Sequence, residues 1–108
     1  MPQYLIQAAY TPEAWAGLVR RPEDRLEAVR PVVEKLGGKI DGGWLSFGDW
    51  DIVAVCQLPN DVSAAAFSMA TAAGGAVKAV KTTPLMTIEE GIEAMRKANS
   101  PVCRSALR

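Results

Sequence analysis

The segment Lys39–Leu58, KIDGGWLSFGDWDIVAVCQL, decides the fold of this chain. It predicts two strands, Lys39–Phe47 and Trp50–Leu58, joined at Gly48-Asp49. A two-residue link that carries glycine between two strand-like runs is typical of a β-hairpin. The segment therefore predicts antiparallel pairing at the centre of the chain.

A two-residue link also sets the register of the hairpin. It places Ser46 opposite Asp51, Trp44 opposite Val53, Gly42 opposite Val55 and Ile40 opposite Gln57. Side chains alternate between the two faces of a strand, so one face is predicted to be apolar and covered by helices, and the other to be mixed. The predicted helix-covered face carries Gly43, Leu45, Phe47, Trp50, Ile52, Ala54, Cys56 and Leu58, with Tyr4, Ile6, Ala8 and Tyr10 from a first strand. The predicted open face carries Ile40, Gly42, Trp44, Ser46, Asp51, Val53, Val55 and Gln57, with Leu5, Gln7 and Ala9 beside them.

The flanking sequence supplies the remaining elements. Thr11-Pro12 is typical of a helix start, and Thr87 with Glu90 predicts a capping box. The order strand, helix, strand, strand, helix, strand predicts an α+β, ferredoxin-like split β-α-β fold, with a four-stranded antiparallel sheet, helices on one face and an extra C-terminal helix. The predicted elements are a strand at 3–10, a helix from Pro12 to Leu36 interrupted at Pro22 and bent at Pro31, a helix at 62–73, a strand at 76–83 and a helix at 87–97. We expect one domain over residues 1–98 and a flexible tail over 99–108.

Composition narrows the classes of function. The 108 residues are 49% hydrophobic, which is enough to build one core, and 12 Lys plus Arg balance 12 Asp plus Glu. This neutrality argues against a nucleic-acid-binding protein, which usually has a basic excess. The start, Met1-Pro2-Gln3-Tyr4, lacks the pattern of a signal peptide, and no apolar run approaches the roughly 18 residues of a membrane helix. We expect a cytoplasmic protein that binds neither nucleic acid nor membrane.

Histidine is absent, and the two cysteines, Cys56 and Cys103, are far apart in the sequence. The commonest general base near neutral pH and the commonest metal ligand are therefore missing. We expect no metal site and no cofactor, a buried structural thiol at Cys56 and an incidental one at Cys103. Any catalysis would depend on carboxylates, Lys, Tyr, Cys or the substrate itself.

The mixed open face predicts an interface and a pocket. Its apolar side chains are too many to face water, while its polar ones are costly to bury unpaired. We expect a homo-oligomer whose sheet faces meet around a pocket for a small apolar or aromatic ligand. The candidate site residues are Asp51 as a catalytic base, and Gln7, Trp44, Ser46 and Gln57 as binding residues.

Each candidate has a structural alternative. Asp51 could instead accept backbone N–H bonds, Trp44 could fill the subunit interface, and the glutamines could bond across a two-fold axis. The sequence leaves open which of Lys78 and Lys81 faces the pocket. A basic stretch near the first helix contains Arg20, Arg21, Arg25 and Arg30. Because acids are interspersed with these arginines, the stretch predicts a solvated, salt-bridged surface rather than an anion site.

Four segments in order resemble the GYD domain family of small bacterial proteins. They are Phe47–Val55, which holds the signature, and Tyr10–Glu13, Leu36–Lys39 and Lys81–Thr87. The resemblance extends from about Tyr4 to Ala98 and implies a ferredoxin-like domain of the dimeric α/β-barrel kind. Trp50 stands where the signature usually has tyrosine, so no role of that hydroxyl carries over.

The resemblance says little about activity, although relatives by fold include cofactor-free monooxygenases, lactone isomerases and decarboxylases. Three hypotheses follow. The first is a small-molecule-binding or sensing oligomer of unknown ligand. The second is a cofactor-independent, monooxygenase- or isomerase-like enzyme with Asp51 as base. The third is an accessory subunit that binds a partner protein through the open sheet face.

Overall fold

The computed structural model describes residues 1–107, and within them four strands form one antiparallel sheet. The strands are β1 (Gln3–Tyr10), β2 (Lys39–Leu45), β3 (Ile52–Gln57) and β4 (Val77–Leu85), in the order β2-β3-β1-β4. The helices are α1 (Pro12–Arg20), α2 (Arg25–Lys35), α3 (Asp61–Ala73), α4 (Ile88–Ala98) and α5 (Pro101–Ala106). The α+β, ferredoxin-like prediction is confirmed.

Local sequence explains where the helices begin. The side-chain oxygens of Thr11, Asp24 and Asn60 accept hydrogen bonds from backbone N–H groups in the first turns of α1, α2 and α3. Thr87 and Glu90 form the predicted capping box of α4. These contacts satisfy N–H groups that have no partner inside the helix.

The core lies between the sheet and the helices that follow β1 and β3. Tyr4, Ile6 and Cys56 of the sheet pack with Val33 of α2 and Phe67 of α3. The four β1 residues predicted to face the helices are 1–6% exposed. Burial raises the pKa of the Cys56 thiol to about 11, so it remains protonated at neutral pH and behaves as the predicted structural thiol.

The β2–β3 register is as predicted near the loop and differs at the far end. Trp44 pairs with Val53 and Gly42 with Val55, but Ile40 pairs with Cys56 because the register shifts at Asp41. A bulge of this kind inserts one extra residue and reverses the face of what lies beyond it. Ile40 therefore packs against the core, and its predicted place on the open face is wrong.

The hairpin connection is longer than predicted. β2 ends at Leu45 and β3 begins at Ile52, although the Ser46 N–H still donates to the Asp51 carbonyl oxygen at 2.8 Å. Leu45 and Phe47, which were predicted to be in the core, are 71% and 99% exposed. Alternation alone does not bury a side chain, because Leu45 borders an open groove beside α1 and Phe47 lies in the connection outside the strands.

The C-terminal part extends away from the sheet. The radius of gyration is 17.2 Å, whereas a compact chain of this length has about 13 Å. Ile88, Ile92 and Met95 of α4 are exposed, and none of its residues is buried. Residues 101–106, assigned from sequence to a tail, form α5, and the last residue of that predicted tail, Arg108, lies outside the described residues.

Gly38 provides a test of the junction between α2 and β2. A Cβ atom at this position would collide with the backbone carbonyl oxygen of Gln57 and would lie 2.7 Å from Cδ2 of Leu58. We expect Gly38→Ala to lower the free energy of unfolding by about 2–3 kcal/mol, as overpacking does. Urea denaturation followed by circular dichroism measures the change.

Gly17 of α1 is the matched control, because a Cβ there meets nothing within 4 Å. Gly17→Ala should raise the free energy of unfolding by about 0.5–1 kcal/mol through helix propensity alone. Equal effects of the two substitutions would contradict the close approach at Gly38.

Candidate functional site

The predicted site residues occupy three separate places on the sheet. Gln7 and Trp44 lie in one cross-strand row of the open face, with Val53 between them and Lys81 at the far side of Gln7. Lys81 is thus the lysine that shares this face, because it pairs with Gln7. From here on, the open face denotes Leu5, Gln7, Gly42, Trp44, Val53, Val55, Lys81 and Thr83.

Trp44 lies on the open face and not under the helices. A Cβ built on Gly42 would be 3.0 Å from Cη2 of Trp44, so the indole extends over Gly42 along its own strand. The residue is 62% exposed. An exposed indole beside Val53 and Val55 gives the open face an apolar centre.

Gln57 lies at another end of the same face, in a polar cluster. Its Nε2 donates to both carboxylate oxygens of Asp41 at 3.0 and 3.1 Å, and Gln3 Nε2 donates to the same carboxylate at 2.8 Å. The bonds from Gln3 and Gln57, with a smaller effect of Lys39, lower the pKa of Asp41. The Gln57 amide is therefore already engaged within the chain.

Ser46 and Asp51 lie at the hairpin end, where both make local hydrogen bonds. The Ser46 hydroxyl donates to the Trp50 carbonyl oxygen at 2.7 Å. The Asp51 Oδ2 atom accepts from the Tyr10 N–H at 2.8 Å and from Trp15 Nε1 at 3.2 Å. The carboxylate thus joins the start of β3 to the end of β1 and to α1.

The structure also contains a cavity that the sequence did not predict. It lies between the sheet and the helices α2 and α3 and has a volume of about 310 Å³. We call it the helix-side cavity. Its floor includes Ala8, Ile52 and Ala54, and its walls include Val29, Phe67 and Ala70.

Small side chains on facing elements explain this space. Ala8 and Ala54 are on the floor, and Ala28 and Ala70 are on the two helices above it. A larger side chain at any of these positions would fill the gap that alanine leaves. Alanines recur in the strands and helices on both sides of the predicted core, and this recurrence was the sequence signal that could have indicated a cavity. The same alanines are equally compatible with a helix that packs closely on the sheet.

Leu26 separates this cavity from a groove of about 380 Å³ on the side of α1. A Cβ built on Gly43 would be 2.5 Å from Cδ2 of Leu26, so the leucine packs directly on the strand backbone. Trp15, Pro22 and Leu45 line the outer groove. The two spaces share Arg25, Leu26 and Ile52.

Arg25 and Tyr10 supply polar groups to the cavity. The Arg25 Nη1 atom is 2.7 Å from Glu23 Oε1, and this bond raises the pKa of Arg25. Tyr10 is 5% exposed and makes an edge-to-face contact with Trp15, with ring centroids 5.3 Å apart. Burial raises the pKa of Tyr10, an effect that the nearby guanidinium of Arg25 partly offsets.

The predicted salt-bridged arginine surface is present in part, since Arg25 pairs with Glu23 and Arg30 with Glu27. Arg25 nevertheless also lines the helix-side cavity and the outer groove. The sequence around Arg25 did not indicate that this residue lines a cavity, because its place in the fold depends on how α2 crosses the sheet.

The family assignment rests on the whole domain. A family model described as the GYD domain matches residues 4–95. The chain belongs to the GYD domain family. Searches of the curated proteins and of the solved structures found no match.

In this GYD domain the signature segment forms the β2–β3 connection and the start of β3. Trp50, at the signature's usual tyrosine position, is half-buried there. Among residues 1–107, no three His, Cys, Asp or Glu side chains converge as metal ligands do. None of the helices in that range combines the length and apolar character needed to cross a bilayer.

Asp51 provides a test of its structural contacts. Asp51→Ala would leave the Tyr10 N–H and the Trp15 Nε1–H without their acceptor, which costs about 1–3 kcal/mol for buried donors. We expect the free energy of unfolding to fall by that amount in urea titrations followed by tryptophan fluorescence. Asp49→Ala, in the exposed hairpin connection, is the control and should change it by less than about 0.5 kcal/mol. Unchanged stability in Asp51→Ala would remove the structural explanation of this carboxylate.

Proposed function

We propose that this GYD domain binds a small, largely apolar molecule in the helix-side cavity, and that it works as a homo-oligomer whose protomers meet through the open face. The observation that carries the binding proposal is the cavity itself. Close packing leaves few gaps between a sheet and the helices that cover it, whereas here α2 and α3 leave a space of about 310 Å³ above the sheet that is partly open to solvent.

The size and lining of the cavity indicate the kind of ligand. Engineered apolar cavities of about 150 Å³ bind benzene, so a cavity of about 310 Å³ has room for a two-ring aromatic molecule. Ile6, Val29 and Phe67 offer it an apolar surface. Apolar cavities with a few polar groups are the usual form of small-molecule sites.

The proposal does not use Asp51 as a base. Its Oδ2 atom accepts from Tyr10 and Trp15, so the carboxylate already has a role in joining three elements. Binding without a chemical step is the simpler function for this arrangement.

The oligomer proposal rests on the composition of the open face. Leu5, Val53 and Val55 lie next to one another on adjacent strands, and Trp44 extends beside them. Contiguous apolar surface of this kind usually marks an interface. Pairing two such faces would shield the apolar centre and leave the cluster around Asp41 near the rim.

The binding proposal predicts an effect of filling the cavity. Isothermal titration with 2-naphthol, a neutral two-ring probe, should show saturable binding to the wild-type protein. Ala54→Leu adds three carbon atoms on the cavity floor and should weaken binding at least tenfold without lowering the melting temperature, because the added side chain fills existing space.

Ala65→Leu is the matched control, since Ala65 is exposed on α3 and does not line the cavity. It should bind 2-naphthol as the wild type does. No binding by the wild type, or unchanged binding by a folded Ala54→Leu variant, would contradict the proposed site.

The oligomer proposal predicts a change of mass in solution. Size-exclusion chromatography with light scattering should give a multiple of 11.6 kDa at micromolar concentration, and Trp44→Lys should shift it toward the monomer by placing a charge in the interface. Val62→Lys, at an exposed position of α3 outside the open face, should leave the mass unchanged. A monomeric wild-type protein would refute the proposal.

A further inference from the structure

We propose that the ligand of the helix-side cavity is an apolar monoanion, such as an aromatic carboxylate, whose acid group is bound by Arg25 and Tyr10. This inference rests on the proposed function and names the chemical class of its ligand.

Charge is the first argument. Among the described residues that line the cavity, Arg25 is the charged one and none is acidic. Two acids lie just outside the lining: Glu23 bonds Arg25 at 2.7 Å, and Asp51 accepts a hydrogen bond from the backbone N–H of Tyr10 at 2.8 Å. A ligand in the cavity therefore meets an arginine and no carboxylate.

The donor capacity of the two groups is the second argument. A guanidinium has five N–H donors in a planar fork. The bond to Glu23 uses one Nη atom of Arg25, and the guanidinium also interacts with the Tyr10 hydroxyl. The remaining donors suit a carboxylate, which arginine binds in a bidentate manner. Because the pKa of Tyr10 is raised, its hydroxyl is protonated at neutral pH and can donate a further hydrogen bond.

Polar and apolar groups are separated in the lining of the cavity. The Thr71 hydroxyl, another polar group of the cavity, donates to the Phe67 carbonyl oxygen at 2.8 Å. Ile6, Ala54 and Phe67 line the rest of the space with apolar atoms. A molecule with one anionic end and one apolar body matches this arrangement better than a polar or a cationic one.

The test compares two probes of similar size, 2-naphthoate and 2-naphthol, by isothermal titration at pH 7. We expect the wild-type protein to bind the carboxylate at least tenfold more tightly than the neutral phenol. Arg25→Gln should abolish this preference while changing the affinity for 2-naphthol less than about threefold. Tyr10→Phe should reduce the preference severalfold, and Arg25→Lys should retain part of it.

Arg30→Gln is the matched control. Arg30 is on the same helix and pairs with Glu27 at 3.0 Å, but it does not line the cavity. This variant removes the same charge and should keep the full preference for 2-naphthoate. A loss of preference equal to that of Arg25→Gln would assign the effect to net charge and overturn the inference.

The remaining outcomes separate this inference from the proposed function. Equal affinity of the wild type for both probes, or a preference that survives Arg25→Gln, overturns the anion assignment while the cavity remains a binding site. Absence of binding by either probe overturns both proposals. Ile92→Asp places a charge on the exposed apolar face of α4. If this variant binds the probes more tightly than the wild type, α4 of a second copy competes with them for the cavity, and the assignment to a small anion is overturned.

Discussion

Antiparallel pairing of β1 with both β3 and β4 is the constraint on which the rest of the structure depends. Gln7 of β1 pairs with Val53 of β3 on one side and with Lys81 of β4 on the other. The pairing with β1 therefore determines which side chains of β3 and β4 point to each face of the sheet. Since successive side chains point to opposite faces, this register separates a helix-covered face from an open one. A slip of one residue would exchange the two faces.

The two faces use their small residues differently. On the helix side, Ala8 and Ala54 leave a cavity beneath α2 and α3, because alanine does not reach the helices above it. On the open side, Gly42 leaves room for the indole of Trp44 to extend along the sheet. Missing side-chain volume thus leaves a cavity on one face and allows the indole to lie along the sheet on the other.

Asp51 and Arg25 show how a charged side chain acquires its role from neighbouring elements. Asp51 immediately precedes β3, but its side chain contacts Tyr10 and Trp15. Arg25 begins α2 and pairs with Glu23, yet it also lines the cavity. The carboxylate therefore holds the hairpin end to β1 and α1, and the guanidinium places a charge in the cavity lining.

The sequence by itself determined the order of the elements, the helix caps, the family and most of the strand pairing near Trp44, because these depend on local propensity and on period-two alternation. Tertiary structure alone decided the bulge at Asp41, which moved Ile40 to the core, and the exposure of Phe47. It also decided the cavity with Arg25 at its edge. These features depend on the distance and angle at which helices cross the sheet, which side chains far apart in the sequence set together.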